Sequence, residues 1–245
     1  MNWITGFHAV EEALSAGRPL DRVVLARGRR GDRIESVVRL AKSSGVPVRF
    51  EDREQIDRFV GTREHQGVAA LASARATVEL EDLLARKTER GLLVFLDGIE
   101  DPHNLGAIAR SALAAGAVGI VIPERRAAGL TDTAERASAG ALAHLPVARV
   151  KNLVRAMDEA KRAGYWMIGL DERAEKNYTD VDLKGSVGIV LGREGEGLHE
   201  LTRKSCDFLV SLPTSGPVRS LNVSVAAGIM LFEVIRQRRA SSGQS

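Results

Sequence analysis

The apolar positions of this chain change texture near residue 90. Before it they come in short helical and extended spacings. Residues 6–14 read as an amphipathic helix stopped by Gly17 and Pro19. Strands predicted over 22–26, 46–50 and 67–72 alternate with helices over 33–44, ended by Gly45, and 54–60. This predicts a small α/β domain over 1–72. Residues 73–90 are polar and charged, and read as a linker with a short helix. From residue 91 a regular alternation follows. Strands are predicted over 92–96, 118–122, 145–147, 166–170, 187–191 and 208–212, and helices over 105–115, 133–143, 153–163 and 223–236. Leu92-Leu93-Val94-Phe95-Leu96 is apolar at every position, which predicts burial on both faces and a mainly parallel sheet over 91–245.

Composition narrows this picture. The 245 residues are 44% hydrophobic and 27% charged, which predicts packed domains, not a disordered chain. No apolar run is long enough for a membrane span; 223–232 is interrupted by Ser224 and Gly228. The first seven residues lack the basic stretch and apolar core of a secretory signal. The single cysteine, Cys206, cannot form an internal disulfide, which fits a reducing cytoplasm. The five histidines lie apart, so no metal site is expected. Net charge is +3, and its distribution is uneven. Residues 1–75 hold 13 Lys and Arg against 10 Asp and Glu; the remainder is balanced at 22 each. Within the first third, Arg27, Arg29, Arg30 and Arg33 form a dense basic turn. Such a turn suits either a solvated loop or contact with a phosphate backbone.

Ligands of an open parallel sheet bind beyond the carboxyl ends of its strands. Gly- and polar-rich stretches fall at three such ends. The first is Asp97-Gly98-Ile99-Glu100-Asp101-Pro102-His103-Asn104-Leu105-Gly106, with Arg110 on the following helix. The second is Gly192-Arg193-Glu194-Gly195-Glu196-Gly197-Leu198. The third is Leu212-Pro213-Thr214-Ser215-Gly216-Pro217-Val218-Arg219-Ser220-Leu221-Asn222. No strand end carries G-x-G-x-x-G and no G-x-x-x-x-G-K-[ST] occurs, which argues against a Rossmann dinucleotide enzyme and a P-loop ATPase.

Taken in order, these stretches resemble the three signature motifs of the SpoU/TrmH family, in the SPOUT class of RNA methyltransferases. Gly6-Phe7-His8-Ala9-Val10 and His65-Gln66-Gly67-Val68-Ala69-Ala70 are similar to the N-terminal RNA-binding domain of one branch. The resemblance spans essentially the whole chain. It implies a parallel sheet closed by a deep trefoil knot, a rare exception to the topology rules. It implies S-adenosylmethionine as cofactor and the ribose 2′-hydroxyl of a guanosine in large-subunit (23S) rRNA as target. It also implies a homodimer. Transfer from a sulfonium needs no metal, because the leaving group is already activated.

Site residues follow from the same resemblance. Arg110, Asn104, Glu194, Ser220 and Asn222 are expected to be catalytic, and Gly192, Leu212 and Leu221 to hold the cofactor largely through main chain. Arg27, Arg29, Arg30 and Arg33 are expected to bind RNA. Read as residues alone, each has a plainer alternative. Arg110 is also an ordinary helix-surface arginine, and Asn104, Ser220 and Asn222 sit where helix caps are favoured. Glu194 among its glycines is also a carboxylate that satisfies backbone amides. A guanidinium stays charged at all relevant pH, so Arg110 is expected to lower the pKa of the 2′-hydroxyl. His103, His144, His199 and Cys206 are read as structural. Competing readings are a tRNA-modifying or antibiotic-resistance member of the family, and a non-catalytic RNA-binding protein on the same fold.

Overall fold

The computed structural model describes residues 3–28, 31–73, 76–86, 89–216 and 220–241. The chain divides into two compact units, Met1–Ala76 with Gly129–Thr133, and Thr77–Ala128 with Ala134–Ser245.

The first unit runs β1 (Trp3–Thr5), α1 (Phe7–Ser15), β2 (Leu20–Ala26), α2 (Asp32–Ser43), β3 (Val48–Glu51), α3 (Arg53–Val60) and β4 (Val68–Ala72). Its sheet has the order β1-β4-β2-β3, with β2 and β3 parallel and β4 antiparallel to both neighbours. Side chains alternate across a strand. Val23 and Leu25 therefore meet Val10, Leu14, Val37 and Ala41 on the α1/α2 face. Val24 and Ala26 meet Ile56 on the α3 face. The turn before β4 is built on His65, which is fully buried. Gly67 N–H donates to its Nδ1 at 3.0 Å, so Nε2 carries the proton and donates to Asp57 at 2.5 Å.

The second unit runs α4 (Leu80–Ala85), β5 (Leu92–Leu96), α5 (Pro102–Ala114), β6 (Gly119–Pro123), α6 (Asp132–Ala137), β7 (Val147–Val150), α7 (Leu153–Arg162), β8 (Trp166–Leu170), β9 (Val187–Leu191), α8 (Glu200–Lys204), β10 (Phe208–Val210) and α9 (Val223–Ser241). The strand order is β10-β8-β9-β5-β6-β7, and every pairing is parallel. Leu92 to Leu96 are each at most 1% exposed. Burying such side chains contributes about 1.5–3 kcal/mol each against the entropy of ordering the chain. Leu80 and Leu83 of α4 lie in the same core.

The helix predicted over 133–143 is broken. α6 stops at Ala137, and Ala139 and Gly140 take positive φ of 49° and 85° before a 3₁₀ turn over Ala141–Ala143. A left-handed pair cannot continue a right-handed helix. At the other end, α9 is anchored by Gln237, whose Nε2 donates to Val181 O at 3.1 Å and whose Oε1 accepts from Leu183 N–H at 2.9 Å. This ties the C-terminal half of α9 to the segment that precedes β9.

Candidate active site

The strand order reverses beside β5. The chain moves outward through β6 and β7, then returns on the other side through β8, β9 and β10. Parallel sheets bind ligands at such a reversal, beyond the strand ends. Here that region is built by the loops after β5, β8, β9 and β10. The loops after β8, β9 and β10 line a cleft of about 270 Å³.

Gly192 opens the β9 loop. A Cβ there would lie 2.2 Å from the backbone carbon of Gly197, so no side chain fits. Paired backbone bonds close the loop: Arg193 N–H to Gly197 O at 3.0 Å, and Gly197 N–H to Arg193 O at 2.8 Å. The loop is tied to the end of β5 by Asp97. Its Oδ2 accepts from His199 N–H and its Oδ1 from His199 Nδ1, both at 2.9 Å. A carboxylate only accepts, so His199 donates from Nδ1.

Three motif residues meet. Asn222 immediately precedes α9, and its Oδ1 accepts from Ser224 N–H at 2.9 Å and Ser224 Oγ at 2.6 Å. Its Nδ2 is thereby turned toward Asn104 Oδ1 at 3.1 Å and Glu194 Oε2 at 3.4 Å. One side chain thus caps a helix and joins all three motifs. Asn104 is not a cap. Asp101 caps α5, accepting from His103 N–H at 2.9 Å, with Pro102 at the first helical position. Arg110 lies on the exposed side of α5, and its side chain has no hydrogen-bond or ion-pair partner among the described residues. Six helical residues separate it from Asn104, roughly 9 Å along the axis and about 120° around it. It therefore stands apart from the Asn104–Asn222–Glu194 network. Ser220 is exposed and lines the cleft.

The expected cofactor residues Gly192, Leu212 and Leu221 all line the cleft, as does Glu194. Leu170, Leu191 and Val223 add apolar wall. Asp171, Glu172, Glu194 and Glu196 set four carboxylates there against the guanidiniums of Arg173 and Arg193. Flat apolar walls and an acidic balance fit a cofactor that joins a purine to a sulfonium cation.

Asp171, Glu172 and Arg173 were not expected at the site. Asp171 is 4% exposed and accepts from Arg173 Nε and Nη2, each at 3.1 Å, from Arg173 N–H at 2.9 Å and from Arg203 Nε at 2.7 Å. Burial pushes its pKa up, but these hydrogen bonds outweigh burial and hold it at about 2. The available signal was a charged residue directly after the apolar run of β8, the strand-end position that exposed the other loops. In contrast, burial pushes the Cys206 thiol up to about 12, which suits a structural cysteine.

In the first unit, Arg27 N–H donates to Glu51 O at 2.9 Å and Arg27 Nε to Phe50 O at 3.1 Å. Arg33 is exposed in the first turn of α2. Arg29 and Arg30 lie outside the described residues. Among the described residues there is no cluster suited to a metal ion, and no helix is long and apolar enough to cross a membrane.

Comparison with known proteins bears on both units. A sequence model of the SpoU rRNA Methylase family matches residues 91–232. A second model, described as RNA 2′-O ribose methyltransferase substrate binding, matches residues 3–78. The chain is 44% identical over 240 residues to the 23S rRNA (guanosine-2′-O-)-methyltransferase RlmB of Xanthomonas campestris, covering 96% of each protein. It is 43% identical over 240 residues to YacO of Bacillus subtilis, described as a TrmH family tRNA/rRNA methyltransferase, covering 97% of this chain and 96% of that one. Its fold matches the crystal structure of the SpoU methyltransferase AviRb from Streptomyces viridochromogenes in complex with AdoMet, with a TM-score of 0.61 and 26% identity, covering 97% of this chain and 90% of that one. Two models that between them take in both units, and relatives similar along their whole length, place this chain in the SpoU rRNA methylase family, as an S-adenosylmethionine-dependent RNA 2′-O-ribose methyltransferase.

Proposed function

We propose that the enzyme methylates the ribose 2′-hydroxyl of a guanosine in 23S rRNA, in the cytoplasm. The observation that carries this reading is the near full-length similarity to a protein described with that activity, at 44% identity. The match of residues 3–78 to a substrate-binding model supports a division of labour. The N-terminal domain positions RNA through phosphate and shape contacts, and the C-terminal domain, closed by a trefoil knot, carries out transfer.

S-adenosylmethionine, when bound, supplies an electrophilic methyl on a sulfonium. Gly192, Leu212 and Leu221 would hold it through main chain and apolar contact, and the acidic lining would balance its charge. Asn222, held by its capping bonds, fixes Asn104 and Glu194 in one geometry and so aligns the reacting groups. Arg110 is charged and its side chain is unpaired among the described residues, so its donors are available to RNA. Its guanidinium stabilises negative charge developing on O2′ as the hydroxyl proton leaves. Ser220, at the cleft edge, supplies a hydroxyl near the same ribose. RNA is selected over DNA because only RNA has the 2′-hydroxyl.

A homodimer fits the surface of α9. Val225 and Phe232 are 52% and 54% exposed and lie two helical turns apart on one face of the mainly apolar N-terminal half of α9. Two-fold closure is the common way to cover such a face. Sedimentation of the purified chain tests it. The activity is tested by transfer of labelled methyl groups to 23S rRNA and to tRNA. A 2′-O-methyl group removes the nucleophile of alkaline cleavage, so label retained in alkali-resistant dinucleotides of 23S rRNA supports the proposal. Label in tRNA alone would redirect it, and label in neither RNA would overturn it.

A further inference from the structure

The first unit has a second surface feature, apart from the basic turn. On β3, Val48 and Phe50 are two residues apart and share the α2 face of the sheet. Val48 packs into the core beneath α2. Phe50 does not, and is 48% exposed. Between its ring and α2 lies an open groove of about 560 Å³, with partly buried Ile34 and Val38 among its lining residues and Arg39 and Lys42 also bordering it. Neither of these cations has a side-chain hydrogen bond or ion pair with a described residue. Arg27 is tied to β3 by its Nε, which donates to the Phe50 carbonyl. One carboxylate, Glu35, borders the groove, so two cations, Arg39 and Lys42, face one acid.

An aromatic face beside unpaired cations matches the chemistry of single-stranded nucleic acid. Bases stack on the ring while the cations meet phosphates. Charge complementarity therefore selects RNA as the occupant. We propose that the groove between α2 and β3 is an RNA-binding site in which Phe50 stacks on an unpaired base and Arg39 and Lys42 contact the flanking phosphates. This rests on the reading of the first unit as the RNA-positioning part of the enzyme. It adds to that reading a place and a chemistry, readout of an unstacked base in addition to backbone charge.

Two probes separate stacking from charge: a labelled single-stranded RNA of mixed sequence, and a strand of the same length whose central sugars lack bases. The full-length protein is titrated with each over a range of salt. Phe50→Ala should weaken binding to the intact strand by about tenfold, with the salt dependence unchanged, and leave the abasic strand unaffected. Arg39→Ser with Lys42→Ser should weaken both strands and lower the salt slope by roughly 0.7 per lost contact. Phe50 is exposed, so the melting temperature of Phe50→Ala should match the parent. Equal affinity of Phe50→Ala and parent for the intact strand would overturn the groove proposal alone. Failure of the parent to bind either strand would overturn the RNA-positioning role as well.

Discussion

The strand-end cleft of the second unit and the α2 face of the first are built with opposite charge. Four carboxylates and two guanidiniums line the cleft. Arg39 and Lys42 line the groove with a single glutamate. The cleft also has fixed geometry: Asp97 holds His199, Asn222 holds Asn104 and Glu194, and Asp171 holds Arg173 and Arg203. The cations of the groove are unpaired. A small cationic cofactor that must be aligned for chemistry suits the first arrangement. A flexible polyanion that must be captured, then released, suits the second. Near-neutral net charge conceals this separation; the sequence shows the basic excess of residues 1–75, and the fold adds the acidic lining of the cleft.

If the two regions do separate tasks, changes in one should spare the other. The largest effect is expected at Arg110. Arg110→Ala should reduce single-turnover methyl transfer by about a hundredfold or more, while cofactor affinity by calorimetry stays near the parent value. Arg110→Lys should recover little of it, because an ammonium lacks the planar fork. Near-normal transfer by Arg110→Ala would remove Arg110 from the mechanism.

Asn222→Asp sharpens the account of the network. The carboxylate still accepts from Ser224 N–H, so helix capping and melting temperature should change little. The donors to Asn104 and Glu194 are lost, and a second negative charge sits beside Glu194. Transfer should fall at least about tenfold with RNA affinity unchanged. A matching loss of stability and activity would show that Asn222 acts only as a cap.

Replacing Arg27, Arg29, Arg30 and Arg33 with Ser tests the other side. RNA affinity should fall and its salt slope should drop by roughly one unit per lost phosphate contact, measured by titration at several salt concentrations. Cofactor affinity should not move. Unaltered RNA binding would assign these arginines to a solvated loop.

The smallest effect is one of stability. Asp171 has its pKa lowered from 3.8 to about 2 in the folded protein. A depressed carboxylate stabilises the fold fully above its unfolded pKa, and that contribution is lost as pH falls through the folded value. Asp171→Asn should therefore lie below the parent in melting temperature at neutral pH, and the gap should narrow between about pH 4 and pH 2. A gap that stayed constant through this window would mean that the ion pairs with Arg173 and Arg203 contribute nothing through charge.

How much of this was legible in the sequence depends on the range of the interaction. β5, β8 and β9 have the bounds that their apolar runs predicted, because a strand buried on both faces announces itself locally. β1 was missed. Its three residues gain their conformation from pairing with β4, more than sixty positions away. The break after α6 was missed because a positive φ at Ala139 has no local signature in an alanine-rich stretch. At the site, Gly192, Leu212 and Leu221, expected from the family motifs to hold the cofactor, line the cleft. The bonds from Asn222 to Asn104 and from His199 to Asp97 cross 118 and 102 positions. No spacing rule reaches that far. His199, read as structural, ties two of the site's loops together through its bonds to Asp97.

The proposed target is one ribose in 23S rRNA. It is tested most directly by mapping 2′-O-methylation across rRNA and tRNA from cells that lack the protein, with the parent gene or its Arg110→Ala form restored. One guanosine of 23S rRNA should lose its methyl group, the parent gene should restore it and Arg110→Ala should not. Complete methylation of 23S rRNA in the absence of the protein would contradict it.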